Sequence, residues 1–347
     1  MEKSTSLGRE IRVYSYNHFD KKYDYIIELC NNGEHIEQLL LDFSSKHVEI
    51  PESISYLKNL KMLRLSSIVL PIHESLRGMD YLINVQYLTI SYSTLNSLPS
   101  NIATLTKLKH LNLNNNHIDD IPETIENLES LLWIVWTKNK IGKPLPESIT
   151  KLTNLKSFNV STNMIKGQVF DHIGNLSNLK DLDVSLNDIE GEIPSSIGEL
   201  SQLQCLNMSH NKLVGAIPTQ ISNLKNLWFL NLSNNLLRGA IPKNIGLLKN
   251  LSVIILENNF LEGSIPLSLY TLTNLTIFDI KLNYIEGTLS ENIGNLHKLR
   301  SLNVSNNRLS GYLPKCLNSM QGLKFVDISN NHFDIVSPLL VMEHPDW

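Results

Sequence analysis

Apolar and polar positions along this chain alternate in a phase that returns every 24 residues. From Leu131 the phase holds without a slip at Leu155, Leu179, Leu203, Leu227, Leu251, Leu275, Leu299 and Leu323. Each of these residues opens a segment L-x-x-L-x-L-x-x-N-x-L, as in Leu203, Leu206, Met208, Asn211 and Leu213. The L-x-L alternation has the period of a strand with one buried face. It predicts one short strand per repeat, with Leu230 and Leu232 inward and Phe229, Asn231 and Ser233 outward. By the same rule Ser209 is expected on the outward face. The intervening segments read Ile-Pro-x-x-Ile-Gly-x-Leu, as from Ile193 to Leu200. Proline there stops the strand and suits the first turn of a short helix. A period of this length predicts stacked coils that share one continuous core.

The front of the array is less regular. Its first apolar positions are Ile36, Leu60, Val85 and Leu108, which makes thirteen coils from residue 36 to 336. The segments Leu39–Leu41, Leu63–Leu65 and Leu88–Ile90, through to Val326–Ile328, should form one parallel sheet. Residues 1–35 do not fit the repeat. Tyr23, Ile26, Ile27 and Cys30 have the spacing of one helix face, which predicts a helix capping the exposed end of the stack. A separate functional helix is the other reading. Residues 337–347 read as a short tail or cap.

One polar position repeats as strictly as the leucines: Asn116, Asn139, Asn163, Asn187, Asn211, Asn235, Asn259, Asn283, Asn307 and Asn331. Asparagine both donates and accepts. Such a column can satisfy backbone groups that lose their ladder partners where the chain turns off the strand. Its expected role is structural. Glycines stand four residues later, from Gly167 to Gly311, where positive φ or a close backbone approach is expected.

The stretch from Leu203 to Pro218, N-x-L-x-G-x-I-P-x-x-I-G in form, resembles the plant-specific class of leucine-rich repeat. That class includes receptor-like proteins and polygalacturonase-inhibiting proteins. The front coils, such as Ile121 to Leu128, are similar to intracellular Ras-group leucine-rich repeat proteins. The resemblance implies an α/β right-handed solenoid, a horseshoe with a concave parallel sheet and short helical or 3₁₀ returns. It implies binding rather than catalysis.

Composition narrows the partner class. The net charge is −4, too mild for the basic stripe that nucleic acid requires. No apolar stretch reaches the ~18 residues of a membrane span. The polar N-terminus lacks the apolar core of a secretory signal, so a cytoplasmic setting is expected, with an extracellular one as the alternative if a leader is missing. Cys205 and Cys316 stand four repeats apart, roughly 20 Å at the strand spacing, too far for a disulfide. With Cys30 they are expected to be free thiols. Seven N-x-[ST] sequons occur, at Asn159, Asn175, Asn207, Asn231, Asn250, Asn274 and Asn303. They read either as glycosylation sites or as by-products of the repeat consensus. No zinc, phosphate-loop or nucleophile-elbow motif is present, so no cofactor, metal or catalytic residue is expected.

The outward strand positions are where recognition is expected. Two apolar clusters interrupt an otherwise polar face. The first is Met62, Tyr87, His110, Trp133 and Val135, flanked by Arg64 and Lys138. The second is Phe229, Val253, Ile255 and Ile277. Large apolar side chains on a solvated sheet mark interfaces; they also form cross-strand pairs that only stabilise the sheet. Trp136 stands in an inward leucine slot, where its indole needs both space and an N–H partner. The expected function is a non-catalytic module binding a protein or peptide on the concave face. The alternative is a secreted recognition protein, either a receptor-like ectodomain or an enzyme inhibitor.

Overall fold

The structure is a computed structural model that describes residues 9–14, 36–47, 52–69, 79–98 and 100–334. The chain divides into two compact units, Met1–Ile165 and Lys166–Trp347. Both are stacks of coils built on a parallel sheet.

In the first unit the sheet strands are Arg9–Tyr14, Ile36–His47, Met62–Val69, Tyr87–Ser91, His110–Asn112, Trp133–Val135 and Ser157–Asn159. Each is hydrogen-bonded in parallel to the next. The strand Arg9–Tyr14 falls inside the segment expected to be a cap, so the sheet begins one strand earlier than the repeat pattern suggests. The expected helix around Tyr23 to Cys30 and the tail from residue 337 lie outside the described residues.

In the second unit the strands are Asp181–Asp183, Cys205–Asn207, Phe229–Asn231, Val253–Ile255, Ile277–Asp279, Ser301–Asn303 and Phe325–Asp327. Equivalent residues pair in register at the 24-residue spacing, for example Leu206 with Leu230 and Leu230 with Ile254. Their side chains are fully buried, as are the leucines that open the coils from Leu179 to Leu299.

The returns are 3₁₀ helices, such as Glu123–Asn127 and Ser195–Glu199. Proline sits one place earlier than expected, at the N-cap: Pro122, Pro146, Pro194, Pro218 and Pro266 are all extended there. Its missing N–H costs nothing at that position. A glycine in each of several returns lets coils stack closely. A Cβ on Gly198 would lie 2.5 Å from the carbonyl oxygen of Gln220 in the following coil.

The second unit also carries short side sheets that the pattern does not announce. Glu190–Glu192 pairs with Lys212–Val214. Arg238–Gly239, Phe260–Ser264, Tyr284–Thr288, Arg308–Tyr312 and His332–Asp334 form a run of five. The glycines four residues after the asparagines all have positive φ, as at Gly287, φ 82°, and Gly191, Gly239, Gly263, Gly287 and Gly311 lie in these strands. A side chain there would be strained.

The asparagine column ties coil to coil. Asn235 Nδ2 donates to the Met208 carbonyl of the previous coil at 3.0 Å and to the Leu232 and Ser233 carbonyls of its own. Its Oδ1 accepts from Leu213 N at 3.0 Å. Asn116, Asn139 and Asn163 repeat this pattern in the first unit. Asn211, Asn259, Asn283, Asn307 and Asn331 repeat it in the second, and Asn187 holds the Val184 and Ser185 carbonyls. The residue before each asparagine has positive φ, including Lys138, His210 and Leu282.

Ser209 is buried, not outward. The strand ends at Asn207, and the chain turns there, so the alternation stops. Asn207 Oδ1 accepts both the Ser209 N–H and its hydroxyl. Asn159 with Ser161, Asn231 with Ser233 and Asn303 with Ser305 do the same. So do Asp183 with Ser185 and Asp327 with Ser329, where no sequon exists. Four of the seven sequons are therefore turn motifs of the repeat. A second ladder holds Asn226, Asn250 and Asn274, whose amides donate to Ser201, Lys225 and Lys249 carbonyls one coil back.

Trp136 fills its leucine slot with no exposure. Among the described residues its indole N–H has no hydrogen-bond partner, nor do the buried hydroxyls of Thr124 and Ser148 in nearby return segments.

Candidate functional site

The first expected cluster is assembled by strand register alone. Met62 pairs with Tyr87, Tyr87 with His110, and His110 with Trp133. The aromatic rings follow one another at centroid distances of 6.3 Å and 6.2 Å, with tilts of 33° and 44°. This is a tilted stack on the solvent side of the sheet. Tyr87 is exposed, and Met62, His110, Trp133 and Val135 are half-buried. Val135 lies two residues from Trp133 on the same strand, across from Asn112 and Asn159.

Burial lowers the His110 pKa below its ordinary value, so the ring is neutral at physiological pH. Neutral His110 stacks on its neighbours and still offers one N–H and one acceptor nitrogen.

Lys138 does not flank the stack from the strand. It is exposed at the turn that follows, with φ 55°. The cation against the stack is Lys156, which the alternation does not single out because it stands one place before its strand. Its Nζ lies 5.8 Å from the Trp133 ring centroid. Arg64 is exposed beside Met62.

The second cluster is less open. Phe229, Val253 and Ile277 pair in register, with Ile255 on the Val253 strand. Val253, however, is buried beneath its neighbours. It supports the track and does not present a contact surface of its own. Trp228 meets Phe229 edge-on at 5.6 Å and is exposed. It too precedes the strand, outside the two outward columns that alternation picks out.

Two titratable groups on this face of the second unit are shifted mainly by burial. Burial raises the Asp279 carboxyl to about 6, against the opposing hydrogen bond from Lys281 N. Burial, with Asp181 and Asp183 nearby, raises the Cys205 thiol to about 11. Cys205 and Cys316 are both free.

A further row lies on the side sheet. Arg238 stacks over Phe260 at 5.1 Å, Phe260 faces Tyr284 at 6.0 Å, and Arg308 covers Tyr284 at 4.6 Å. Phe260, Tyr284 and Arg308 recur at 24-residue spacing in a column beyond the strand, so the period could have located them; Arg238 stands outside that column.

Among the described residues, no helix is long and apolar enough to cross a membrane. A sequence profile described as "leucine-rich repeat region" matches residues 39–190 and 162–340. No curated protein sequence matches the chain. Among solved structures, the chain is similar to the complex PEPR1–AtPEP1, at 33% identity and a TM-score of 0.82, over 88% of this chain and 43% of that one. It is similar to a plant peptide hormone receptor, RGFR1 in complex with RGF2, at 31% identity and a TM-score of 0.74, over 85% and 52%. A leucine-rich repeat protein of Leptospira interrogans matches at 27% identity and a TM-score of 0.72, over 88% and 81%. The chain spans about half the length of the first two.

Proposed function

The chain belongs to the leucine-rich repeat proteins, and on that premise we propose that it is a non-catalytic recognition module that binds a protein or peptide on the solvent face of its sheet. The observation that carries this reading is the in-register stack Tyr87–His110–Trp133. Strand pairing fixes these side chains before a partner arrives, so little ordering entropy is lost on binding. Aromatic residues held this way are the side chains that most often anchor interfaces. Phe229, Ile255, Ile277 and Trp228 form a secondary contact surface.

The likeness to receptor structures supports recognition outside the cell, of the receptor-ectodomain kind, over the cytoplasmic setting. The cytoplasmic reading rests on free Cys205 and Cys316, which a reducing compartment would leave unpaired.

The test is selection of random 12-residue peptides displayed on phage against the immobilised full chain, repeated with Trp133→Ala. Peptides that bind the wild type and lose the variant support the reading. A pool that binds both alike contradicts it.

A further inference from the structure

The outward sheet positions of the first unit differ in charge from those of the second. The segments 61–67, 86–92, 109–115, 132–138 and 156–162 carry Lys61, Arg64, Lys109, Lys138 and Lys156 and no Asp or Glu. The equivalent segments of the second unit are mixed, with Asp181, Asp183, Glu257, Asp279 and Asp327 beside Lys180, Lys281, Arg300 and Lys324. The five coils around the aromatic stack therefore carry only cations at these positions, although the preceding strand carries Glu37 and Asp42 and the whole chain is slightly acidic.

Apart from Lys61, these cations are not consumed by internal ion pairs among the described residues. Lys61 binds Glu37 at 2.7 Å. Arg64 and Lys109 have no carboxylate partner among the described residues, and Lys156 rests on the Trp133 ring. An unpaired basic row costs self-repulsion that an acidic partner would relieve. The cations also have a spacing. Lys61, Lys109 and Lys156 occupy the same place before their strands, in alternate coils, with Gln86 and Leu132 between them. Two coils span roughly 9.6 Å at the strand spacing. A polyproline II peptide crossing the strands repeats every three residues, about 9.3 Å. An acidic side chain at every third residue would meet successive cations, while apolar residues between them lie on Tyr87, His110 and Trp133.

Building on the recognition reading above, we propose that the partner of this face is an extended acidic peptide segment, with carboxylates on Lys109, Lys156 and Arg64 and an apolar or aromatic side chain on the stack. Electrostatic complementarity of this kind sets partner choice and association rate more than total affinity.

The phage-selected 12-residue peptides provide the test. The Trp133-dependent pool is expected to be net acidic, with Asp or Glu recurring at i and i+3. One acidic peptide from that pool is then measured against Lys109→Glu/Lys156→Glu full chain. Its affinity is expected to fall more than tenfold, and selection on that variant is expected to turn to basic peptides. Such an exchange of preference cannot come from unfolding. A Trp133-dependent pool that is neutral or basic overturns the acidic partner and leaves the recognition reading standing. A pool with no Trp133 dependence overturns both. Binding of heparin unaffected by Trp133→Ala, with no acidic peptide selected, also overturns the proposal.

Discussion

The side-chain amide of Asn211 leaves its own coil and donates to the main-chain carbonyl of Val184, 3.0 Å away, while its Oδ1 accepts the Ile189 N–H. One side chain thus satisfies the turn of one coil and the strand exit of the previous one. Replacing it by alanine strands several buried backbone groups. Asn211→Ala should lower stability by about 1–3 kcal/mol, the cost of leaving buried polar groups unpaired. Ser209→Ala also removes a buried hydrogen bond, to Asn207, but leaves the backbone N–H bond to the same oxygen. It should cost about 1 kcal/mol or less. Urea midpoints of the two variants check the ranking, and equal losses would contradict it.

Asp279 predicts a pH-dependent gain from a neutral substitution. Its carboxyl is raised from 3.8 to about 6, mainly by burial. The folded state therefore binds the proton more tightly than the unfolded state. This contribution is fully present below about pH 4 and is lost as pH rises through about 6. Asn keeps the oxygen that accepts the Lys281 N–H. Asp279→Asn should thus raise stability at pH 7.5 by on the order of 1–2 kcal/mol, and the advantage should vanish near pH 4. Urea melts at the two pH values measure it. A gain that persists unchanged at pH 4 would point to something other than ionisation.

The thiol of Cys205 should be nearly inert in the folded protein. With its pKa at about 11, almost none is thiolate at pH 8. Reaction with a chromogenic disulfide reagent should be slow in buffer and rapid in urea. Prompt reaction in buffer would mean that the sheet face around Asp181 and Asp183 is more open than the structure shows.

Close stacking of the returns makes Gly198 intolerant of a methyl group. Its φ is not the reason; the Gln220 backbone is. Gly198→Ala should lower the melting midpoint, at a cost of about 1–3 kcal/mol for overpacking. An unchanged midpoint would show that adjacent coils separate freely.

The period made the strands, the leucine core and the asparagine column legible, because each depends on one residue recurring in one place. It failed where the geometry changes within the repeat. Ser209 looks outward only if the strand continues, and the strand ends at Asn207. Val253 looks exposed from its strand position, between Phe229 and Ile277, and is buried. The glycines were legible as special backbone positions, yet nothing in their spacing reveals that five of them, from Gly191 to Gly311, lie in side strands that pair across coils. Lys156 and Trp228 escaped because alternation selects two columns within the strand, and both stand just before it. The Tyr87–His110–Trp133 stack was legible as a set; its ring geometry and its cation were not.

Binding to the face of the first unit is tested most directly by calorimetric titration of one phage-selected peptide into three full-length proteins: wild type, Trp133→Ala, and Tyr312→Ala. Tyr312 is 70% exposed and lies on the side sheet of the second unit, not on a strand that carries the stack. The account predicts that Trp133→Ala weakens binding by about 2 kcal/mol or more, roughly thirtyfold, with an unchanged melting midpoint, and that Tyr312→Ala matches the wild type. If Trp133→Ala binds as tightly as the wild type, or unfolds while its folded fraction keeps full affinity, then Trp133 only packs the sheet and the partner binds elsewhere.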